Sequence, residues 1–262
     1  MTPLRRRRGG SPGRRGLRGR VWALGFLLVV AACACGVEYL KRGMLAGRGY
    51  AGADDLPLVA VGAVPVAGPR AELMAVMLTG DGGWGWFDRA ITAELARGGI
   101  PTVGWNSLRY YWHPRSPEEA AEDLQRVIES FSARWERPRV LLVGYSFGAD
   151  ALPFLVSRLP PATRARVAGV ALVAMGRDAS FHFRPVDWIS RRPPTRFRTV
   201  PEVGRLAGLP VACVYGTRDG VTRVGCPLLR GTGTRVFELP GGHHFNGRYR
   251  RVARLLLEAT VP

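Results

Sequence analysis

Histidine and cysteine are scarce in this 262-residue chain, with four residues of each. None of them falls at zinc-ligand spacing, so no metal or other cofactor is expected. The chain has no G-x-x-x-x-G-K-S/T segment, which excludes phosphate-loop nucleotide chemistry. It also lacks zinc-finger spacing and an aromatic RNP-type strand, so no nucleic-acid module is expected. Repeats are absent. Hydrophobic residues make up 47% and charged residues 22%, the balance of an ordinary globular protein. The length suits a leading segment followed by one catalytic domain.

Acid is missing from residues 1–20, which hold eight arginines and contribute heavily to the net charge of +18. That stretch is expected to be drawn to anionic membrane surfaces, whereas the arginines of the body read as solvated surface. An uncharged apolar run, Val21–Ala32, follows. A basic flank, a short apolar run and small residues make a signal-peptide pattern. The run is shorter than the roughly 20 residues of a membrane span, although apolar character continues to Val37 and leaves a signal anchor open. Either reading sends the body across the membrane. Val30-Ala31-Ala32-Cys33 resembles a lipobox, which would lipidate Cys33; the alternative is that Cys33 and Cys35 are merely small apolar residues of the leader. The chain is therefore divided into a signal, lipoprotein-signal or anchor segment (1–35), a linker with an edge strand over Leu58–Val66 (36–68) and a catalytic domain (69–262).

Within that domain, strand and helix patterns alternate. Apolar runs at Leu73–Thr79, Ile100–Trp105, Arg139–Gly144, Val167–Ala174, Val211–Tyr215 and Arg235–Leu239 read as strands. Helical spacing covers Phe87–Arg97, Phe147–Arg158 and Tyr249–Glu258. Ser116-Pro117-Glu118-Glu119 combines an N-cap, a first-position proline and a capping box, predicting a helix to about Trp135. The alternation implies an α/β fold, a mostly parallel sheet with helices on both faces. Such sheets bind ligands at the carboxyl ends of their strands.

Chemistry-bearing residues cluster at those ends. Gly144-Tyr145-Ser146-Phe147-Gly148 matches G-x-S-x-G and lies between a predicted strand and a predicted helix, the context in which Ser146 becomes an exposed nucleophile. His243 and His244 follow the last strand, where this fold carries its general base; His243, directly after Gly241-Gly242, is preferred over His244. Asp219, after Val211–Tyr215, is the expected acid that orients the imidazole. Asp178 is the runner-up, and Asp187 also lies between the nucleophile and the histidines. The oxyanion hole would use the N–H of Phe147 and that of Asp81 or Gly82, in Gly80-Asp81-Gly82-Gly83-Trp84. Trp84, Arg109, Tyr110 and Tyr145 are expected to line the substrate pocket, Arg109 against a phosphate or carboxylate; a packed surface loop is the alternative for 106–112. The long stretch 177–204, rich in aromatics and arginine, reads as a lid or as plain surface. Twelve residues separate Cys213 from Cys226, and an exported domain would favour a disulfide between them over two buried thiols.

Gly80–Trp84, Ser107–Trp112, Gly144–Asp150 and Gly241–Phe245, in this order, resemble the bacterial virulence VirJ/AcvB family from about Glu72 to the C-terminus. The resemblance implies a periplasmic α/β-hydrolase acting on the ester of an aminoacylated phospholipid such as lysyl-phosphatidylglycerol, with a link to type IV secretion components. The Cys213–Cys226 spacing fits it as well. One departure is that the stretch Thr217–Gly225, which often carries several acids in the family, has only Asp219 here. Two other functions remain open on the residues alone: a non-catalytic chaperone or adaptor for secreted proteins, and a thioesterase or small-ester hydrolase.

Overall fold

Leu73–Leu78 is apolar at all six positions and buried at all six. Only a strand covered by helices on both faces accommodates such a run. The computed structural model describes residues 52–184, 197–220 and 224–260, and builds the domain around that strand. The expected leader, with Cys33, lies outside the described residues, as does Asp187.

In chain order the elements are β1 (Leu58–Val61), β2 (Leu73–Leu78), α1 (Trp86–Arg97), β3 (Thr102–Trp105), the one-turn α2 (Ser107–Tyr110), α3 (Pro117–Trp135), β4 (Arg139–Tyr145), α4 (Phe147–Ser157), α5 (Pro161–Arg164), β5 (Val167–Val173), β6 (Asp178–Ala179), β7 (Phe197–Arg198), α6 (Thr199–Gly204), β8 (Val211–Gly216), β9 (Arg235–Leu239) and α7 (Tyr249–Thr260). The main sheet has seven strands in the order β1-β3-β2-β4-β5-β8-β9. Within that sheet, among the described residues, only β1 is antiparallel to its neighbour. The edge strand stops at Val61 rather than the expected Val66, because Gly62 and Pro65 follow and proline has no N–H for the ladder.

Alternate residues of each strand feed two cores. Met74, Val76 and Leu78 pack with α3 and α4 on one face. Leu73, Ala75 and Met77 pack with α1 and α7 on the other. The capping box at Ser116 forms as its sequence implies: Glu119 N donates to Ser116 Oγ at 3.1 Å, and Ser116 N donates to Glu119 Oε2 at 2.7 Å. The chain leaves β2 toward β3 through α1 on one face, and reaches β4 through α3 on the other. That reversal of direction falls between β2 and β4, and open α/β sheets bind ligands beside the carboxyl ends of strands at such a point.

The long stretch after β5 does not read as loose surface at its described ends. Asp178–Ala179 pairs with Phe197–Arg198, and Phe181 and Phe183 are buried, with Phe181 against Phe154 and Phe197. Residues 185–196, the middle of the expected lid, lie outside the described residues.

Candidate active site

β4 ends at Tyr145 and α4 begins at Phe147, leaving Ser146 alone in the turn with φ 50° and ψ −120°. Such a conformation costs a non-glycine residue on the order of 1–3 kcal/mol and persists only where surroundings impose it. Here Ser146 N donates to Val173 O at 2.8 Å, and its carbonyl accepts from Asp150 N at 3.0 Å. The flanking glycines are required by contact. A Cβ on Gly144 would lie 2.6 Å from Gly148 O and Ala149 Cα; one on Gly148 would lie 2.4 Å from Leu78 O.

Ser146 Oγ stands 2.8 Å from His243 Nε2. His243 Nδ1 lies 2.9 and 3.1 Å from the two carboxylate oxygens of Asp219. The two loops that carry these groups are fastened to each other: Thr217 N donates to Leu239 O at 2.9 Å and Arg218 N to Gly241 O at 2.8 Å. Gly216 lies so close to the histidine turn that a Cβ there would meet Gly242 O at 2.4 Å. A hydroxyl, an imidazole and a carboxylate in line are the parts of a nucleophile–base–orienter relay.

The other expected site residues divide. His244 is not in the relay; its ring is exposed, and Nδ1 lies 2.8 Å from the Tyr145 hydroxyl. Consecutive side chains in this turn leave the backbone in different directions, so only one of the pair reaches Ser146. Asp178 bonds Arg198 at 3.1 Å instead of approaching the imidazole. Tyr145 is buried, stacked on Phe87 with ring centroids 3.8 Å apart, and so is a support beneath the site instead of a pocket wall. Tyr110, expected in the pocket, is 3% exposed; its hydroxyl donates to Asp123 Oδ2 at 2.5 Å and its ring meets Trp105 edge-on. The segment was expected as a loop, but Asn106 Oδ1 accepts from Arg109 N at 3.1 Å and caps a helical turn that turns Tyr110 inward. Arg109 is half-buried on that turn. Trp84 lies across β3, where a Cβ on Gly104 would meet its ring at 2.0 Å. Cys213 and Cys226 are joined in a disulfide, with Cα atoms 5.5 Å apart.

Phe147, one of the expected oxyanion donors, is the first residue of α4, and the first N–H groups of a helix have no partner within it. Gly80, at the head of the loop carrying Asp81 and Gly82, abuts Ser146: a Cβ there would lie 3.4 Å from Ser146 Cβ. Gly83 N closes this loop onto Gly80 O at 3.1 Å.

Two carboxyls escaped sequence reasoning. Asp88 is buried in the first turn of α1; Oδ2 accepts from Gly85 N at 3.0 Å, and Oδ1 has no partner among the described residues. Burial pushes its pKa up to about 7. An acid three residues after Gly85 was the available signal, a helix-capping position. Asp150, one turn beyond Ser146, accepts from Gly176 N at 2.6 Å. Burial, with the charges of Asp81, Asp178 and Asp219, holds its carboxyl well above the ordinary range. Among the described residues, no group of three His, Cys, Asp or Glu side chains gathers as a metal ion would need.

A family model described as "Bacterial virulence protein (VirJ)" matches residues 72–261. No curated protein matches the chain. Among solved structures, Est1E from Butyrivibrio proteoclasticus superposes with a TM-score of 0.56 at 15% identity, over 79% of this chain and 96% of that one. An α/β serine hydrolase homologue from Coxiella burnetii gives 0.54 at 17%, over 77% and 89%. The thioesterase domain of the curacin biosynthetic pathway gives 0.52 at 16%, over 76% and 94%. These likenesses establish the α/β-hydrolase fold.

Proposed function

The chain belongs to the bacterial virulence protein (VirJ) family, and from that premise we propose that it is an exported serine hydrolase cleaving a carboxylic ester. One observation carries the reading: the unbroken line from Ser146 Oγ through His243 to Asp219. Ser146 attacks the ester carbonyl while His243 Nε2 takes its proton. Asp219 holds the proton on Nδ1 and steadies the imidazolium. The oxyanion forms against the N–H of Phe147 and one from the Asp81–Gly82 loop, each such donor worth about 2.7–4 kcal/mol in comparable enzymes. His243 returns the proton to the departing alcohol. Water, activated by the same imidazole, then releases the acid and restores the serine.

The preferred substrate is an aminoacylated phospholipid such as lysyl-phosphatidylglycerol. The acidic side chain of Asp81, on the loop whose Gly80 abuts Ser146, suits an acyl group bearing an ammonium. The basic and apolar N-terminal segment suits a protein held at the bacterial membrane surface.

The full-length protein is to be treated with a fluorophosphonate probe and assayed on lysyl-phosphatidylglycerol, a short-chain ester and a thioester, beside Ser146→Ala. The expected result is labelling of Ser146 and fastest turnover of the lipid, both abolished in the variant. Absence of labelling would favour a chaperone or adaptor serving type IV secretion. Faster turnover of the thioester would favour a thioesterase.

A further inference from the structure

Beside the catalytic edge, one face of the molecule pairs a bare indole with a concentration of arginine. Trp86, the first residue of α1, is 87% exposed. Trp86, Ala90, Ala93 and Arg97 recur every three or four residues and so form one stripe of that helix. The stripe borders a groove of about 480 Å³ between α1 and α7, lined also by Arg248, Arg250 and Arg251. Arg254 is exposed one turn further along α7, and Arg89 one turn after Trp86. The acids on this face are few: Glu94, which already bonds Arg97 at 2.5 Å and Arg250 at 3.1 Å, and Glu258 near the far end of α7. The starts of both helices adjoin the site. Trp86 follows the Gly80–Gly85 loop, and Arg248 follows the turn that carries His243.

We infer that the α1–α7 face is a docking surface for an anionic lipid bilayer. Trp86 enters the boundary between headgroups and acyl chains, and the α7 arginines lie against lipid phosphates. The chemistry selects this occupant. Indole rings prefer the level where one side is apolar and the other wet. Guanidinium groups match phosphate oxygens in pairs, and clustered cations are drawn to an anionic leaflet. A protein partner would want an apolar centre, but the groove offers alanines rimmed by arginine. The inference rests on the lipid-ester reading for its purpose, delivery of substrate to Ser146, while docking itself needs no reactive serine.

The test uses full-length protein reconstituted into vesicles of phosphatidylcholine, with or without phosphatidylglycerol. The difference in fluorescence between wild type and Trp86→Phe isolates the Trp86 signal. That signal is expected to shift blue and to be quenched by brominated acyl chains only when phosphatidylglycerol is present, and to revert as salt is raised. Each basic residue near such a leaflet contributes roughly fivefold to binding, so Arg251→Gln with Arg254→Gln should weaken docking on the order of 25-fold. The charge-conserving Arg251→Lys with Arg254→Lys should retain it, and turnover of a soluble short-chain ester should be unchanged in both pairs. A water-like Trp86 signal on phosphatidylglycerol vesicles, or a shift indifferent to the glutamine pair, overturns the inference. Repeating the measurement in Ser146→Ala separates the two proposals: docking persists there whether or not Ser146 is the nucleophile.

Discussion

Two segments leave the same edge of the sheet on strands that flank β2, and they were read from sequence with unequal success. Gly144–Gly148, at the end of β4, is a turn whose backbone conformation is its function. Its glycines are demanded by carbonyl oxygens 2.4–2.6 Å from where a Cβ would be, and its serine faces His243. Asn106–Trp112, at the end of β3, carries the side chains of a binding pocket but uses most of them in the core. Tyr110 and Tyr111 are buried, Tyr110 bonds Asp123, and Tyr111 packs against Phe147 and Phe181. Where backbone geometry sets the role, a short motif suffices. Where side-chain direction sets it, residue type misleads.

The sharpest break of this comparison is by activity. Ser146→Ala is expected to lower kcat on the order of 10⁶-fold. Tyr110→Phe should change kcat and KM less than twofold and instead lower unfolding free energy by about 1–2 kcal/mol, through its lost bond to Asp123. Steady-state kinetics beside urea unfolding decide it; a Tyr110→Phe protein of normal stability and raised KM would return that ring to the pocket.

The exit of β2 adds a third case, with a carboxyl buried at the start of α1. Because burial lifts Asp88 to about 7, the folded chain keeps a proton between about pH 4 and 7 that the unfolded chain has released. Stability contributed by this group is therefore present at low pH and lost as pH rises through that window. Relative to Asp88→Asn, the wild type should lose stability from pH 4 to pH 7, by at most about 4 kcal/mol. Parallel unfolding curves for the two proteins across that range would show Asp88 to titrate normally.

Contact with backbone gives a smaller, local contrast. Gly148→Ala must displace Leu78 O and should cost about 3 kcal/mol with loss of activity. Gly82→Ala meets nothing within 4 Å and should stay within about 0.5 kcal/mol of wild type. Equal melting behaviour for the two would mean that the elbow relaxes more readily than its contacts imply. The smallest effect is expected at His244. Removing its ring leaves the Tyr145 hydroxyl facing solvent, so His244→Ala should reduce kcat/KM only a few-fold, whereas His243→Ala should approach the Ser146→Ala loss. Equal losses from both histidines would make the turn itself, and not one ring, the catalytic element.

Much of the architecture was legible because strand and helix periods differ and because Ser116-Pro117-Glu118-Glu119 states its own cap. The boundaries of β9 and the capping at Ser116 match the residues that implied them. The one-turn α2, the pairing of Asp178–Ala179 with Phe197–Arg198 and the inward course of Phe181 were not legible. Each depends on partners more than a dozen residues away or on a single polar cap. The same limit concealed Asp88 and Asp150, whose altered proton affinity comes from burial that no local pattern records.

By itself, then, the sequence determined an alternating α/β chain, a serine in a glycine-flanked turn, and an order of serine, acid and histidine along the polypeptide. Those are properties of period, of backbone freedom and of sequence order, each readable within a few neighbouring residues. The tertiary structure alone decided that His243 and not His244 meets Ser146, that Asp219 and not Asp178 orients it, and that Tyr110 is core. Those choices turn on distances of about 3 Å between groups as many as 97 residues apart, which only the packed sheet brings together.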